Sequence, residues 1–534
     1  MVASVHVLAT RVGNEILRRG GNAIDAAVAI GYTLAVVYPA AGNLGGGGFM
    51  TIRFADGRTT FLDFREKAPL AATADMYLDQ AGNVIPEASI LGYRAAAVPG
   101  SVAGFDLALR KYGRMSRRQV MTPAIALAEK GFKLTDSDAA GLMAAAEDFR
   151  KDPPSAAIFL SHGQPYGPGD VLVQKDLAKV LRGIARLGAD GFYHGPVAEK
   201  IVAASRANGG LLSKTDFEQY AVREMKPIAC SYKGYTLYSA PPPSSGGIAL
   251  CEILNILEPY PLRDWGFNSA KTIHYMVEAM RHAYVDRDSA LGDPDFVQNP
   301  VGHLLDKGYA EAVRARIDPD KAGNSQDLGP GTPPHEGSET THYSVVDKDG
   351  NAVGVTYSLN NFFGARVTPA GTGILLNDTM DDFTLKPGVP NIFGLVQGEA
   401  NRIAPHKTPL SSMSPTVVTR DGKAVMVLGS AGGPRIITIV LETFLDMVDY
   451  GMNVQEAVDA PRIHHQWRPD EIFVEPFALS ADTRAVLEGM GYKLVQQNPW
   501  GDSIAILTGG PAIGKTEDGY RCFGGVDDRR AVRY

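Results

Sequence analysis

Apolar residues near the start of the chain follow a helical spacing. Val12, Ile16 and Leu17 fall on one face of a predicted helix that ends at Gly20 and Gly21. A more continuous apolar run, 26–37, follows Asn22, a residue suited to capping a helix. This run is shorter than the about 20 residues that a bilayer span needs, so it predicts a buried core helix.

Runs of β-forming residues alternate with these helical stretches. Strands are predicted at 51–54, 60–64, 343–346, 352–359 and 425–428, with closing strands in 503–534, and further helices at 248–257 and 436–448. Asp349-Gly350 is a hairpin turn signal, so the two strands beside it should pair antiparallel.

The length of 534 residues allows three or four domains, or one large α/β sandwich. The one break in composition is a linker, about 318–339, whose prolines and glycines disfavour helix and strand. With 45% hydrophobic and 21% charged residues, the composition is that of a globular protein. A net charge of −7 argues against nucleic acid as a general partner.

The three cysteines, Cys230, Cys251 and Cys522, are far apart and odd in number. That pattern fits neither a disulfide framework nor a zinc site, so we predict buried thiols. No signal peptide precedes Val2, which is expected either of a cytoplasmic protein or of a mature chain whose leader has been removed.

Thr340 lies where the linker meets a predicted strand. One interpretation is structural, because threonine is common at strand starts. The other is chemical: cleavage between Glu339 and Thr340 would give Thr340 a free α-amino group with a pKa of about 7.7 to 8.0, a base beside its own hydroxyl.

Other motifs also admit two interpretations. The glycine run 45–48 lacks the Gly-Lys-Ser/Thr ending of a phosphate loop, so close backbone packing is the better explanation. His464 and His465 are adjacent on a predicted strand and should point to opposite faces, which disfavours a shared metal ion. Gly432 and Gly433 precede Pro434 at a helix start, where bare N–H groups stabilise an oxyanion.

Several segments, in the order found here, resemble the γ-glutamyltranspeptidase (glutathione hydrolase) family. They are 45–48, 63–66, 99–104, 239–247, 337–350, 373–383, 386–395, 409–415 and 429–435. The resemblance runs from about residue 9 to about 528. It implies the four-layer αββα sandwich of N-terminal-nucleophile (Ntn) hydrolases, self-cleaved into a large subunit 1–339 and a small subunit 340–534 that remain one αβ heterodimer.

The resemblance also implies a role for each motif residue. Thr340 is the nucleophile, Ser358 hydrogen-bonds it, Asn360 contacts the glutamyl group, Gly432 and Gly433 hold the oxyanion, Arg65, Ser411 and Ser412 bind the α-carboxylate, Thr379 and Asp382 face the α-ammonium, and Phe393 belongs to a lid loop. No metal or other cofactor is implied.

Three of these positions depart from the usual family pattern. Ser358 replaces a Thr and keeps the hydroxyl, whereas Phe393 replaces a Tyr and loses one. Thr379 replaces a Gln or Glu and is shorter, so the preference for a free α-amino group is expected to be weaker.

The implied reaction transfers the γ-glutamyl group of glutathione and related amides to water, amino acids or peptides. One alternative is a glutaryl cephalosporin acylase of the same family, since glutaryl lacks the α-ammonium. Another is an uncleaved, non-catalytic binder of γ-glutamyl compounds. Family members are typically exported, so a periplasmic or secreted location is expected, or a cytoplasmic one if Met1 is the native start.

Overall fold

A computed structural model of the protein describes residues 1–328, 340–508 and 522–527. Glu339 and the linker from 329 onward lie outside the described residues, as do the parts of the predicted closing strands at 509–521 and 528–534. The part of the linker that is described ends in a short 3-10 turn, Ser325–Leu328.

Two six-stranded sheets form the centre of the fold. In the first, the strands lie in the order Val2–Ser4, Thr341–Val346, Ala352–Ser358, Gly47–Arg53, Thr59–Phe64 and Arg223–Met225. In the second, the order is Cys522–Val526, Asp502–Thr508, Lys423–Ala431, Thr416–Arg420, Tyr235–Ser239 and Ile228–Tyr232. All pairings in both sheets are antiparallel.

Smaller ladders lie outside these sheets. They comprise Ile463–His464, Ile472–Val474 and Leu494–Gln496 in one sheet, Phe132–Lys133 with Val171–Leu172, and Leu160–Ser161 with Gln164–Pro165.

The described α-helices are Val7–Arg18, Ala23–Val37, Ser101–Tyr112, Arg117–Lys130, Asp136–Ala144, Ala146–Lys151, Pro153–Phe159, Lys175–Leu187, Asp190–Tyr193, Pro196–Ala207, Lys214–Gln219, Gly246–Leu257, Leu262–Trp265, Ala270–Ala290, Val301–Leu304, Lys307–Arg314, Ile436–Val448, Val454–Asp459 and Ala481–Gly489. Helix Ala23–Val37 is buried along its whole length and begins with a reciprocal cap between Asn22 and Asp25. The predicted core helix and its cap are confirmed.

Layer packing confirms the predicted αββα sandwich. Helices Ala23–Val37 and Ser101–Tyr112 contact the outer face of the first sheet, and helices Gly246–Leu257 and Ile436–Val448 contact the outer face of the second. Between the sheets lies an apolar layer that includes Val346, Val417, Val427, Ile504 and Ile506. Two facing apolar sheets must each bury their outer surface as well, which the helices do.

The cysteine prediction is wrong for two of the three residues. Cys230 and Cys251 form a disulfide, with Cα atoms 5.8 Å apart and a sequence separation of 21. Strand Ile228–Tyr232 packs against helix Gly246–Leu257, and this contact brings the two sulfurs together. The odd number of cysteines therefore comprises one disulfide pair and one further cysteine, Cys522.

Across the described residues, we find no helix with the length and apolar character needed to cross a membrane.

Candidate active site

Thr340 lies immediately before strand Thr341–Val346, at the edge of the space between the sheets. The hairpin register pairs Thr341 with Tyr357, so the next position along sets Thr340 opposite Ser358. Thr340 is 5% exposed. The predicted hairpin is confirmed, and it brings the two hydroxyl residues to the same end of the ladder.

Thr340 opens onto a cavity that collects most of the predicted site residues. Its walls consist of Arg65, Arg287, Thr340, Asn360, Asp382, Phe393, Leu395, Leu410, Ser411, Ser412, Met413, Gly433, Pro434 and Ile436. Ser358, Thr379 and Gly432 are not among the wall residues. Residues from both sides of position 340 in the sequence therefore build one cavity.

Ser358 and Asn360 form a tight turn at the end of their strand. The Asn360 backbone N–H donates to Ser358 Oγ at 2.8 Å, and Asn360 Nδ2 donates to the Asp378 carbonyl at 3.2 Å. Asn360 adopts a positive φ of 87°, a conformation that asparagine tolerates better than most residues. The turn fixes the Asn360 amide at the cavity wall.

Arg65 and Asp382 pair with each other inside the cavity. Arg65 Nη2 donates to Asp382 Oδ2, and both side chains are almost fully buried. Burial raises the pKa of Asp382, while the Arg65 guanidinium opposes that rise. A cation and an anion side by side are complementary to a zwitterion, in which a carboxylate would face Arg65 and an ammonium would face Asp382.

Ser411 and Ser412 are held by two residues that precede position 340, Ser245 and Arg287. Ser245 donates through both its backbone N–H and its hydroxyl to the Ser411 carbonyl, each at 2.8 Å. Arg287 Nη2 donates to Ser412 Oγ at 3.1 Å, and Arg287 Nε donates to Ser245 Oγ at 3.0 Å. Because Ser412 Oγ accepts from Arg287, its own proton is available for a carboxylate in the cavity.

Thr379 is buried behind the cavity wall. Its hydroxyl donates to Glu66 Oε1 at 2.8 Å. The other oxygen, Glu66 Oε2, lies 3.8 Å from Arg65 Nη1. Burial raises the pKa of Glu66, and Arg65 works against that rise. The Thr379 side chain is thus engaged with Glu66, and its predicted contact with an α-ammonium stays a prediction.

The predicted oxyanion site lies where strand Lys423–Ala431 gives way to helix Ile436–Val448. Gly432 and Gly433 have φ values of 139° and 54°, which favour glycine at both positions. Pro434 follows within the first turn, as predicted from the sequence. Gly433 reaches the cavity wall at the positive end of the helix dipole.

The loop predicted to be a lid covers the cavity with apolar side chains. Phe393 and Leu395 form part of the wall, and Phe393 is 5% exposed. Asn391 Oδ1 accepts from the N–H groups of both residues at 3.1 Å. The Ile392 N–H donates to Asp381 Oδ2 at 3.0 Å, which ties the loop to the residue next to Asp382.

Close packing explains the glycine run, as predicted. A Cβ at Gly46 would lie 2.0 Å from the Ser358 carbonyl oxygen, and one at Gly48 would lie 2.3 Å from that of Thr356. Neither distance is compatible with a side chain. The run therefore lets the strand carrying Ser358 approach closely.

The adjacent histidines take part in separate hydrogen bonds. His464 pairs with Thr438 and Gln466, whereas His465 pairs with Asp470 and accepts from the Trp467 N–H. Within the described residues, no three His, Cys, Asp or Glu side chains cluster as metal ligands would.

Comparison with known proteins identifies the family. Residues 9–532 match the family described as gamma-glutamyltranspeptidase. The chain belongs to the gamma-glutamyltranspeptidase family. It is 60% identical over 531 residues to a glutathione hydrolase proenzyme of Pseudomonas sp. strain A14, covering 99% of this chain and 92% of that protein. It is 52% identical over 511 residues to the glutathione hydrolase proenzyme of Escherichia coli K12, covering 95% and 88%.

A solved structure shares the fold of this chain. The crystal structure of a cephalosporin acylase from Bacillus halodurans superposes with a TM-score of 0.85 at 26% identity, covering 99% of this chain and 94% of that one. The predicted family, Ntn hydrolase fold and enzyme class are confirmed.

Sequence reasoning missed Arg287 as a cavity residue. Arg287 lies on helix Ala270–Ala290, one turn after Tyr284, and continues the apolar stripe of that helix. It is 1% exposed, and its charge is balanced by Asp288. A charged residue on the buried stripe of a helix is the signal that could have identified it.

Proposed function

We propose that this chain is a self-processing γ-glutamyltransferase and glutathione hydrolase whose nucleophile is Thr340. The observation that carries the proposal is the shared cavity, where Thr340 meets the Arg65–Asp382 pair and the Ser411–Ser412 hydroxyls. A donor with an α-carboxylate, an α-ammonium and a γ-amide matches those groups one by one.

Acylation begins with cleavage before Thr340, which frees its α-amino group. The amine takes the proton from the Thr340 hydroxyl, and Oγ1 attacks the γ-carbonyl carbon of the donor. Backbone N–H groups of Gly432 and Gly433 hold the resulting oxyanion. The C–N bond then breaks, the departing amine takes the proton, and a γ-glutamyl ester remains on Thr340.

Deacylation repeats the same proton transfers with a new nucleophile. Water gives its proton to the Thr340 amine, attacks the ester and releases glutamate. An amino acid or peptide amine that attacks instead forms a new γ-glutamyl amide. Both outcomes regenerate the Thr340 hydroxyl, so hydrolysis and transfer use one intermediate.

The topology supports a heterodimer that stays associated after cleavage. Strands Thr341–Val346 and Ala352–Ser358 lie between Val2–Ser4 and Gly47–Arg53 in the first sheet. In the second sheet, Thr416–Arg420 pairs with Tyr235–Ser239. A cut before Thr340 breaks none of these ladders, so the proposed subunits 1–339 and 340–534 remain joined by both sheets.

An exported location suits the disulfide between Cys230 and Cys251. Disulfides persist in oxidising compartments and are rare in the cytosol. We therefore place the protein in the periplasm or outside the cell.

A denaturing gel and mass analysis of the purified protein test the proposal. The wild type should give two chains, with one beginning at Thr340, and should cleave a γ-glutamyl anilide. Thr340→Ala should remain one chain without activity, whereas Thr340→Ser should still process. Processing of Thr340→Ala at the same bond would mean that another protease makes the cut. A single wild-type band would favour the non-catalytic binder.

A glutaryl acylase is the second candidate, and the burial of Thr379 favours it. With Thr379 bonded to Glu66, Asp382 is the acid that reaches the cavity wall beside a donor ammonium. Turnover of glutaryl and γ-glutamyl anilides by the processed wild type separates the two functions. A larger kcat/KM for glutaryl anilide would make the acylase the main activity.

A further inference from the structure

A second, narrow cavity lies between helices Ala270–Ala290 and Ile436–Val448. Asn268 and Thr272 line it on one side, and Glu442, Asp446 and Tyr450 on the other. Its interior has room for about one water-sized particle. The cavity shares no lining residue with the one at Thr340.

The two acids in this cavity lack the partners that buried carboxylates need. Glu442 Oε1 accepts from the Ile463 N–H at 2.9 Å, but the buried Glu442 Oε2 has no hydrogen-bond partner among the described residues. Asp446 is 5% exposed, and no described residue donates a hydrogen bond to its carboxylate. A buried carboxylate left this way carries a large desolvation penalty.

The neighbouring cation, Arg462, is hydrogen-bonded to groups other than the two acids. Arg462 Nη1 donates to the Trp500 carbonyl at 3.0 Å and to Asp527 at 2.9 Å, and Nη2 donates to the Val458 carbonyl. Glu475 adds a further negative charge nearby and is occupied by the backbone N–H groups of Arg462 and Trp500. Burial raises the pKa of both Glu442 and Asp446, with Arg462 only partly opposing it.

We propose that Glu442 and Asp446 form a calcium site. The two acids are spaced i, i+4, which places them on one face of the helix, and Asn268 and Thr272 supply further oxygen atoms. Oxygen donors favour a hard cation, and Ca²⁺ accepts irregular protein ligands. Mg²⁺ keeps several of its waters, for which a cavity of this size has no room.

Such a site would join residues on both sides of position 340. Asn268 and Thr272 precede the proposed cleavage point, whereas Glu442 and Asp446 follow it. A bound Ca²⁺ would hold two segments together that are no longer continuous after processing. Calcium is thereby expected to stabilise the heterodimer, without taking part in the reaction at Thr340.

Terbium luminescence tests binding directly in the purified processed protein. Tyr450 lines the cavity and can sensitise Tb³⁺ bound beside it. Excitation of tyrosine should produce a saturable Tb³⁺ signal that Ca²⁺ displaces. Glu442→Gln should abolish the signal at the same Tb³⁺ concentration, and Tyr450→Phe should weaken it. The exposed Glu311 provides a matched control, and Glu311→Gln should leave the signal intact.

Thermal unfolding gives an independent measurement near neutral pH. Saturating Ca²⁺, compared with chelator, should raise the Tm of the wild type and of Tyr450→Phe by at least about 2 °C, and should not shift Glu442→Gln or Asp446→Asn. The proposal is overturned if Ca²⁺ leaves the wild-type Tm unchanged and Tb³⁺ gives no signal that depends on Glu442. In that case the two acids are protonated in the folded protein, which costs stability near neutral pH. Glu442→Gln removes that cost and would be more stable than the wild type without calcium.

Discussion

At the scale of single residues, Glu66 connects Thr379 to Arg65, which lines the cavity at Thr340. The hydrogen bond of 2.8 Å between Thr379 and Glu66 occupies the threonine hydroxyl and leaves Asp382 as the acid at the cavity wall. A donor ammonium would then depend chiefly on Asp382. Under the proposed function, discrimination between γ-glutamyl and glutaryl donors would rest on that single charge.

Thr379→Gln should strengthen this discrimination. The longer side chain adds an acceptor within reach of the ammonium, so kcat/KM for γ-glutamyl anilide should rise by about threefold to tenfold, as one further hydrogen bond would provide. Glutaryl anilide, which has no ammonium, should change little. Steady-state kinetics with both donors measure the ratio.

Thr379→Val is the matched control, because it removes the hydrogen bond to Glu66 without adding an acceptor that could reach the ammonium. An equal change in both donors for Thr379→Gln would show that position 379 does not face the ammonium. If Thr379→Val changes the ratio of kcat/KM for the two donors as Thr379→Gln does, the change comes from loss of the hydrogen bond to Glu66.

Arg287 should act on the donor through Ser412. Arg287→Lys keeps the charge beside Asp288 but loses the planar fork that reaches Ser245 and Ser412 together. We expect kcat/KM for γ-glutamyl anilide to fall roughly tenfold, the lower range for one charged hydrogen bond. A double-mutant cycle measures the coupling: in a Ser412→Ala background, Arg287→Lys should cost much less. Equal losses in both backgrounds would mean that Arg287 acts independently of Ser412.

Sequence motifs could predict the residues that are close together in the chain, because each motif is rigid locally. The antiparallel hairpin that carries Thr340 and Ser358 followed from the Asp349-Gly350 turn, and the helix start after Gly432 and Gly433 followed from Pro434. Arg287 belongs to no such motif. It reaches the cavity only through the packing of a long helix against the second sheet, which no local pattern reveals.

At the scale of elements, Asp381 and Asp382 anchor the loop predicted to be a lid and the segment that follows it. Asp381 accepts from Ser89 and from the Ile392 N–H, while the Asp382 carbonyl accepts from Gln397 and Asn401. Burial raises the pKa of Asp381 from an ordinary value of 3.8 to about 6. The charge of Asp381 therefore changes within a pH range that the folded protein can be tested in.

Asp381→Asn should flatten the dependence of stability on pH. Between pH 3.8 and about 6, folded Asp381 keeps a proton that the unfolded chain has lost, so its contribution to stability falls as the pH rises through that window. The contribution is on the order of 3 kcal/mol. Thermal unfolding across the window should show a smaller fall in Tm for the variant.

The variant must be compared with the wild type, because burial also raises the pKa of Asp288 to about 6. Asp288 therefore lowers stability over the same pH window in both the wild type and Asp381→Asn. Asp421→Asn, in an exposed turn, serves as the control and should follow the wild-type curve. An unchanged curve for Asp381→Asn would place the titration of Asp381 outside this window.

Elements could be predicted where a local cap or turn specifies them, as for helix Ala23–Val37 with its Asn22 cap. The disulfide could not be. Cys230 lies on an edge strand and Cys251 on an outer helix, and their proximity depends on how that helix crosses the sheet.

At the scale of the whole molecule, both sheets are shared between the segments before and after Thr340. In the first sheet, the two strands that follow Thr340 lie between strands that precede it. The second sheet joins the two segments through one ladder, Tyr235–Ser239 with Thr416–Arg420. The outermost strand next to that ladder is Ile228–Tyr232, whose other edge is unpaired among the described strands. The disulfide attaches this strand to the helix layer, which protects the end of the second sheet.

Removal of the disulfide should therefore weaken the second sheet without changing the chemistry at Thr340. For a loop of 21 residues, the entropy of the unfolded chain predicts a loss of about 3 kcal/mol in the variant Cys230→Ser with Cys251→Ala. Its Tm should fall by several degrees, whereas kcat/KM for γ-glutamyl anilide at low temperature should stay within about twofold. Cys522→Ser is the matched control for loss of a cysteine. Thiol titration of the denatured, unreduced wild type should find one free thiol; three would mean that the disulfide does not form and that the buried-thiol prediction was right.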